Sequence, residues 1–473
     1  MEYLIYIRKD RIMKKLLSAL LAAAMVISLA GCSGSTSSTA DSTDSADTST
    51  SASGATDSGT VEEIKLSEPV KVNEDGSVDM EAALAYETDI DALIASFNEK
   101  EVDPTKPVSE NSNAATLEVF DYLRSIYGKQ MLFCQQQMDE DALEDLVYYN
   151  ATSDLPAMKG YDFIFNTGTY INNYMVEEAI NWHKESGGLV TFTWHWNVPK
   201  DIDDPSQGAA FYQEEIVNWS QVNAVTPGTK EYEQVIHDID TIAIELQRME
   251  AEGMTVLFRP LHEASGSWFW WGVQDRASVN EQVFQKLWYI IYDRIENYHK
   301  LTNIIWIWNG QTKNCAVHPN SYDIAGVDYY AQQANYSACE SQYDQLSGYN
   351  ESCYQKYYGE DFELEEEPYS GKMLAMTECG YMLDPADCAD TGCMWLYYMI
   401  WNGDFVYEVH SSGAAKTDFD GTPSPNPERM TNEMISEYFG SDVLITYRDL
   451  PSKYVEGKDI PQKIKTWEYF KTE

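Results

Sequence analysis

The chain has 473 residues, with 77 Asp and Glu against 32 Lys and Arg, for a formal net charge of −45. That balance excludes nucleic acid and anionic membrane surfaces as broad partners, because both are held through Lys and Arg patches. With 44% apolar and 13% aromatic residues, including 33 Tyr and 13 Trp, the chain can bury a large core, is not disordered throughout, and suggests a ligand that stacks on aromatic faces.

Lys14 and Lys15 precede an apolar run from Leu16 to Ala30, then Gly31 and Cys32, in the order of a charged region, a hydrophobic region and a small-residue processing site. The run has 15 residues, short for a membrane span. Leu29-Ala30-Gly31-Cys32 resembles the lipobox of bacterial lipoproteins. The resemblance implies a signal peptide over residues 1–32 with Met13 as its true start, lipidation at Cys32, and a protein anchored on the extracellular face of the membrane; the alternative is an ordinary secretory signal and a secreted protein. Residues 33–60 contain only Ala, Asp, Gly, Ser and Thr, so they have nothing to bury and form a disordered tether. Its root-mean-square reach is about 30 Å.

Seven cysteines remain: Cys134, Cys315, Cys339, Cys353, Cys379, Cys388 and Cys393. Cys388 with Cys393, and Cys339 with Cys353, are close enough to pair, although spacing alone leaves the connectivity open. Residues 61–112 read as an acidic lead-in carrying one amphipathic helix, Met80–Glu99. The main domain, 113–473, alternates short apolar runs with helical patterns. Eight runs stand out: Gln130–Cys134, Tyr161–Phe165, Gly188–Trp194, Met254–Pro260, Asn303–Trp308, Ile324–Tyr329, Lys372–Thr377 and Trp395–Ile400. Helices are expected between them, among others at Glu231–Glu252, with Gly253 as its stop, and at Val279–Lys300. Eight strands alternating with helices predict an α/β fold, the (β/α)8 or TIM barrel. The rival, a doubly wound open sheet, lacks its usual Gly-rich nucleotide fingerprint here.

Barrels build their chemistry at the C-terminal ends of their strands. The fourth run leads into Arg259-Pro260-Leu261-His262-Glu263, and the seventh into Met376-Thr377-Glu378-Cys379-Gly380. Two carboxylates on nearly opposite strands can face each other across the mouth, as glycoside hydrolysis requires. Trp268-Phe269-Trp270-Trp271 follows directly, flanked by Gly266 and Gly272, and reads as a wall for sugar rings. Trp194, Trp196, Trp306, Trp308, Trp395 and Trp401 fall near strand ends, and about half of them are expected to be core. His262-Glu263 does not extend to a zinc-protease motif, because position 266 is glycine. No metal and no cofactor are expected.

Arg259-Pro260-Leu261-His262-Glu263, Trp268-Phe269-Trp270-Trp271-Gly272 and Thr377-Glu378-Cys379-Gly380 together resemble glycoside hydrolase family 26, chiefly endo-β-1,4-mannanases. The resemblance runs from Leu132-Phe133 through Thr193-Trp194-His195 and Asp328-Tyr329-Tyr330 to Trp401-Asn402. It implies a retaining enzyme with Glu263 as acid/base and Glu378 as nucleophile, their carboxyl groups about 5–5.5 Å apart. It further implies that His262 bonds the sugar or orients a carboxylate, that Tyr330 contacts the nucleophile and that Trp268 sits beside the acid/base. His195 and Trp401 would line substrate subsites. Arg259 would lie behind Glu378 and hold its pKa down. Ser265 stands where family members often have Asn. The implied partner is a β-mannan-type polysaccharide, with no nucleic acid, a membrane contact only through the lipid, and a monomeric state. Mixed-linkage β-glucan and β-1,3-xylan are rival polymers. A non-catalytic glycan-binding transport lipoprotein and a structural surface protein are rivals of other classes, and neither accounts for the paired glutamates.

Overall fold

Eight short strands close into a parallel barrel in the computed structural model, which describes residues 66–138, 142–168, 171–273, 278–330, 337–364, 369–417 and 421–465. They are β1 Met131–Gln136, β2 Met158–Asp162, β3 Leu189–Thr193, β4 Val256–Arg259, β5 Ile304–Trp308, β6 Ile324–Tyr329, β7 Met373–Cys379 and β8 Tyr397–Ile400. Each pairs with the next, and β8 returns to β1 with Leu132 opposite Tyr397 and Gln135 opposite Ile400. The expected (β/α)8 barrel is thus the observed fold. The described residues other than 411–413 belong to one unit spanning 64–473. The signal peptide, Cys32 and the tether lie outside the described residues. Among the described residues no helix is long and apolar enough to cross a membrane.

Each strand run was legible because its residues are buried, and at the start of β2 and the ends of β1 and β7 a polar residue explains the moved boundary. The second run, expected at Tyr161–Phe165, begins three residues earlier. Lys159 sits inside β2 because its ammonium pairs with buried Asp145 and lies 4.5 Å from the Trp182 ring. Phe163–Phe165 is instead a tight turn, capped by the Asp162 carboxylate, which accepts from Ile164 N at 2.9 Å. β1 continues through buried Gln135 and Gln136, β7 runs on to Cys379, and β8 starts at Tyr397 rather than Trp395.

Helix Lys230–Ala251 follows from its sequence. Thr229 accepts from Tyr232 N, acidic residues fill the first turn, and Val235, Ile236, Ile239, Ile242, Ala243, Leu246 and Met249 form one buried stripe. The helix expected at Val279–Lys300 runs over Ser278–Asp293 and ends in a wide turn, Arg294–Tyr298. The single helix expected at Met80–Glu99 is two, Met80–Leu84 and Ile90–Asn98. Asp79 and Asp89 each cap a separate start, and Tyr86 between them turns to donate to Asp293 at 2.8 Å. The seven cysteines from Cys134 to Cys393 are all free thiols, so neither pairing allowed by spacing is formed.

The lead-in is tied to the barrel through buried carboxylates. Glu250 accepts from Ser67 Oγ at 2.6 Å, and Glu296 accepts from Ser109 Oγ at 2.6 Å and from Trp306 Nε1 on β5 at 2.7 Å. Burial pushes the Glu296 carboxyl up to about 7 against the pull of those donors. A folded-state pKa above the unfolded value makes stability full below pH 4 and loses it as pH rises through 7, by up to roughly 3 kcal/mol. Urea denaturation should therefore show the Glu296→Gln variant losing less stability than the wild type between pH 5 and pH 8. Parallel losses in the two proteins would contradict this.

Candidate active site

At the end of β4 the chain makes a sharp departure. Leu261 and Glu263 both adopt left-handed backbone, with φ of 54° and 52°. Such residues cost roughly 1–3 kcal/mol each unless the surroundings hold them. Here the surroundings are extensive: Leu261 is buried, Glu263 N donates to Asn309 Oδ1 at 3.4 Å, and Trp271 Nε1 donates to His262 O at 2.8 Å. Val273 N closes the loop on Ala264 O at 2.8 Å. Gly272 lies so close that a Cβ there would stand 2.1 Å from Gly266 O.

The loop corrects the expectation of a four-ring sugar wall. Only Trp268 is exposed, at 41%, while Phe269, Trp270 and Trp271 are buried. Their indoles serve the protein instead, Trp270 Nε1 donating to Trp196 O at 2.8 Å as Trp271 does to His262. Trp194, Trp196, Trp306, Trp308 and Trp395 are fully buried core, and Trp401 is half-buried. Trp268 Nε1 donates to Glu263 Oε2 at 2.8 Å.

Glu378 reaches the same mouth from β7. Arg259 Nη2 donates to its Oε1, and Tyr330 OH donates to its Oε2 at 2.7 Å. Arg259 Nη1 donates to Asp328 Oδ2 at 2.7 Å, so one buried guanidinium spans two buried carboxylates. Asn309 Nδ2 and Thr377 Oγ1 both donate to Asp328 Oδ1, at 2.8 and 2.6 Å. A register shift between Val327 and Asp328 sets Asp328 opposite Glu378. One carboxylate oxygen each from Glu263, Asp328 and Glu378 lies within 4.8 Å of the others.

Burial dominates the electrostatics. It pushes Glu263 well above the usual carboxylate range, with Asp328 and Glu378 adding to the rise and only Trp268 and Arg259 opposing it. Glu378 is also raised, by burial and then Asp328, but Arg259, His195 and Tyr330 pull it back. Arg259 lies against Glu378 and lowers its pKa as expected, although burial and Asp328 leave the net shift upward. The pair is thus split, Glu263 keeping its proton when Glu378 has lost its own. Burial opposes the charge of Arg259, and its two carboxylates more than offset this.

His262 is buried with both nitrogens engaged, Nδ1 with Thr193 Oγ1 at 3.1 Å and Nε2 with His195 Nε2 at 3.2 Å. Both nitrogens are thus engaged within the protein. Burial, then His195 and Arg259, hold His262 neutral. His195 bonds Asp162, and its ring lies 5.9 Å from Trp401 and 5.0 Å from Phe211. The eight residues singled out from sequence therefore gather at the ends of β3, β4, β6, β7 and β8. Asp328, Asn309 and Asp162 were missed, although Asp162 and Asp328 are strand-end carboxylates like the two that were found.

The chain belongs to glycosyl hydrolase family 26, whose profile matches residues 108–418. It is 33% identical over 337 residues to mannan endo-1,4-beta-mannosidase B of Piromyces sp, covering 68% of this chain and 53% of that one. It is 31% identical over 303 residues to the mannan endo-1,4-beta-mannosidase of Thermothelomyces thermophilus, covering 63% and 57%. The chain thus spans about half the length of these curated relatives. Among solved structures it resembles the Podospora anserina GH26-CBM35 beta-(1,4)-mannanase, with a TM-score of 0.60 and 26% identity over 75% of this chain and 70% of that one. A ruminal GH26 endo-beta-1,4-mannanase gives a TM-score of 0.60 at 25% identity, over 74% and 71%.

Removing one of two interacting carboxylates should lower the pKa of the other. In Glu378→Gln, Glu263 should lose its proton at lower pH than in the wild type, followed by NMR of carbon-13-labelled glutamate side chains. An unchanged Glu263 titration would mean that the two groups do not sense each other.

Proposed function

We propose that the protein is a retaining endo-β-1,4-mannanase that cleaves the backbone of mannan, glucomannan and galactomannan. The observation that carries this reading is the carboxylate pair: one oxygen each of Glu263 and Glu378 lie within 4.8 Å of each other, which suits the close spacing of the two carboxyl groups in a retaining enzyme, roughly 5–5.5 Å. The names of the relatives that share about a third of their residues support the polymer.

In this reading Glu378, ionised beside Arg259 and Tyr330, attacks the anomeric carbon. Glu263 gives its proton to the departing glycosidic oxygen. Its Oε2 accepts from Trp268, so the transferable proton sits on the other oxygen. A covalent glycosyl-enzyme forms, Glu263, now a carboxylate, removes a proton from water, and the water oxygen displaces Glu378 with net retention. Trp268 and Trp401 offer stacking faces, and His195 lines the sugar side. We also propose the lipoprotein form: a signal peptide over 1–32, lipid on Cys32, the 33–60 tether, a lead-in over 61–112, and a monomeric catalytic domain over 113–473 on the outer face of the membrane.

Glu263→Ala should lose on the order of 10²–10⁴-fold in turnover, and Glu378→Ala more, both with wild-type circular dichroism. Reducing-sugar release from glucomannan, galactomannan, mixed-linkage glucan and β-1,3-xylan identifies the polymer. Activity on the two mannans alone is expected, and activity on the glucan alone would overturn the substrate while leaving the mechanism. Metabolic labelling with a fatty acid in a bacterial host should mark the wild type and not Cys32→Ala, and equal labelling would remove the anchor from Cys32.

A further inference from the structure

Beside the two glutamates runs a line of groups whose protons the proposed reaction does not use: Asp162, His195, His262 and Thr193. Asp162, at the end of β2, is fully buried. One of its oxygens accepts from the backbone N–H of His195 at 3.0 Å and from Ile164 N at 2.9 Å, and the other binds His195 Nδ1. A carboxylate can only accept, so Nδ1 of His195 carries a hydrogen. Its Nε2 then faces Nε2 of His262 at 3.2 Å. Two imidazole nitrogens at that distance bond only if a single proton lies between them. Two bare nitrogens would repel, and two N–H groups would clash.

That constraint leaves two arrangements. In the first both rings are neutral: His262 Nε2–H donates to His195, and His262 Nδ1 accepts from the Thr193 hydroxyl. In the second the pair has gained one proton. The central proton now belongs to His195, an imidazolium facing Asp162, and the incoming proton sits on His262 Nδ1 and is donated to Thr193 Oγ1. The Thr193 hydroxyl then turns to Arg259 O, which it already approaches at 3.4 Å. Thr193 therefore has a partner in either arrangement.

We propose that Asp162, His195, His262 and Thr193 form a relay that stores at most one added proton, that Asp162 locates this charge on His195, and that the charge keeps Glu378 ionised. The charged and titratable groups around the pair are Asp162 on β2, Arg259 at the end of β4, and Glu378 on β7, for which His195 is a stabilising neighbour. The other packed elements contribute the rings of Phe211, Phe269 and Trp401. Asp162 is a positioning residue. It acts through His195, and it is the link between the end of β2 and the chemistry of β7. The consequence for turnover rests on the glycosidase reading, whereas the proton count does not.

The first test needs no substrate. Nitrogen-15 NMR of histidine-labelled wild-type protein, titrated from pH 8 to pH 4.5, should show one protonated and one bare Nε2 in the His195–His262 pair throughout, with uptake of a single proton. Two independent titrations, or two protonated Nε2 atoms, would overturn the relay. The second test uses pH profiles of kcat/KM on soluble mannan. Asp162→Asn removes the charge that favours imidazolium, so Glu378 loses a neighbouring cation and its pKa rises. The acidic limb should move up by roughly half to one pH unit, with KM little changed. Asp162→Glu should restore the limb. An unmoved limb in a folded Asp162→Asn protein would overturn the role of Asp162. Because Asp162 also caps the Phe163–Phe165 turn, the wild-type titration decides the proposal if that variant does not fold. Inactivity on every polymer, with the single-proton titration intact, would refute the enzyme reading and leave the relay standing.

Discussion

A buried guanidinium needs partners for its charge and its five N–H groups, and Arg259 meets part of that need with Asp328 on β6 and Glu378 on β7. This bridge fixes the barrel mouth. It ties three of the eight strands at their C-terminal ends, and Asn309 and Thr377 brace Asp328 from β5 and β7. Removing the guanidinium would leave two carboxylates buried together, a loss on the order of 3–5 kcal/mol for a broken buried pair. The same bridge separates the two glutamates electrostatically, because the cation touches Glu378 and not Glu263. Burial raises both pKa values, and the unequal access to Arg259 gives them different protonation states.

The backbone around Glu263 is the counterpart of this electrostatic arrangement. Two left-handed residues in three are held in place by indole N–H groups and by a buried leucine, so the carboxylate is delivered at a fixed angle without a helix or strand beneath it. Aromatic side chains that look like a sugar wall are mostly the mortar of that loop. Of the four rings, Trp268 alone keeps its face to solvent, and its N–H ties that exposed ring to the Glu263 carboxyl.

Much of this was legible in the sequence. Eight apolar runs mark eight strands, since a parallel barrel strand is buried on both faces and shows as a continuous apolar segment. The strand-end rule finds Glu263 and Glu378. Some misreadings share one cause: a polar residue that is buried because it has a partner elsewhere. Lys159 hid the start of β2, and Gln135 and Gln136 the end of β1. Asp328 and Asp162 were overlooked for the same reason, since a carboxylate within an apolar run gives no sign of the arginine or histidine that will meet it. Asp89, which is exposed, instead split a helix by capping a new one. The occupation of both His262 nitrogens was out of reach of sequence, because it depends on distances between β3 and the loop after β4.

The central claim is that Glu378 becomes covalently bonded to the sugar. Incubation with a 2-deoxy-2-fluoro-β-mannosyl fluoride, which slows breakdown of the intermediate more than its formation, followed by peptide mass spectrometry, tests it directly. The account predicts one added sugar on the peptide containing Glu378, and none when Glu378 is replaced by Gln. A sugar on Glu263 or any other residue, or turnover that releases an α-configured product with no adduct, would contradict it.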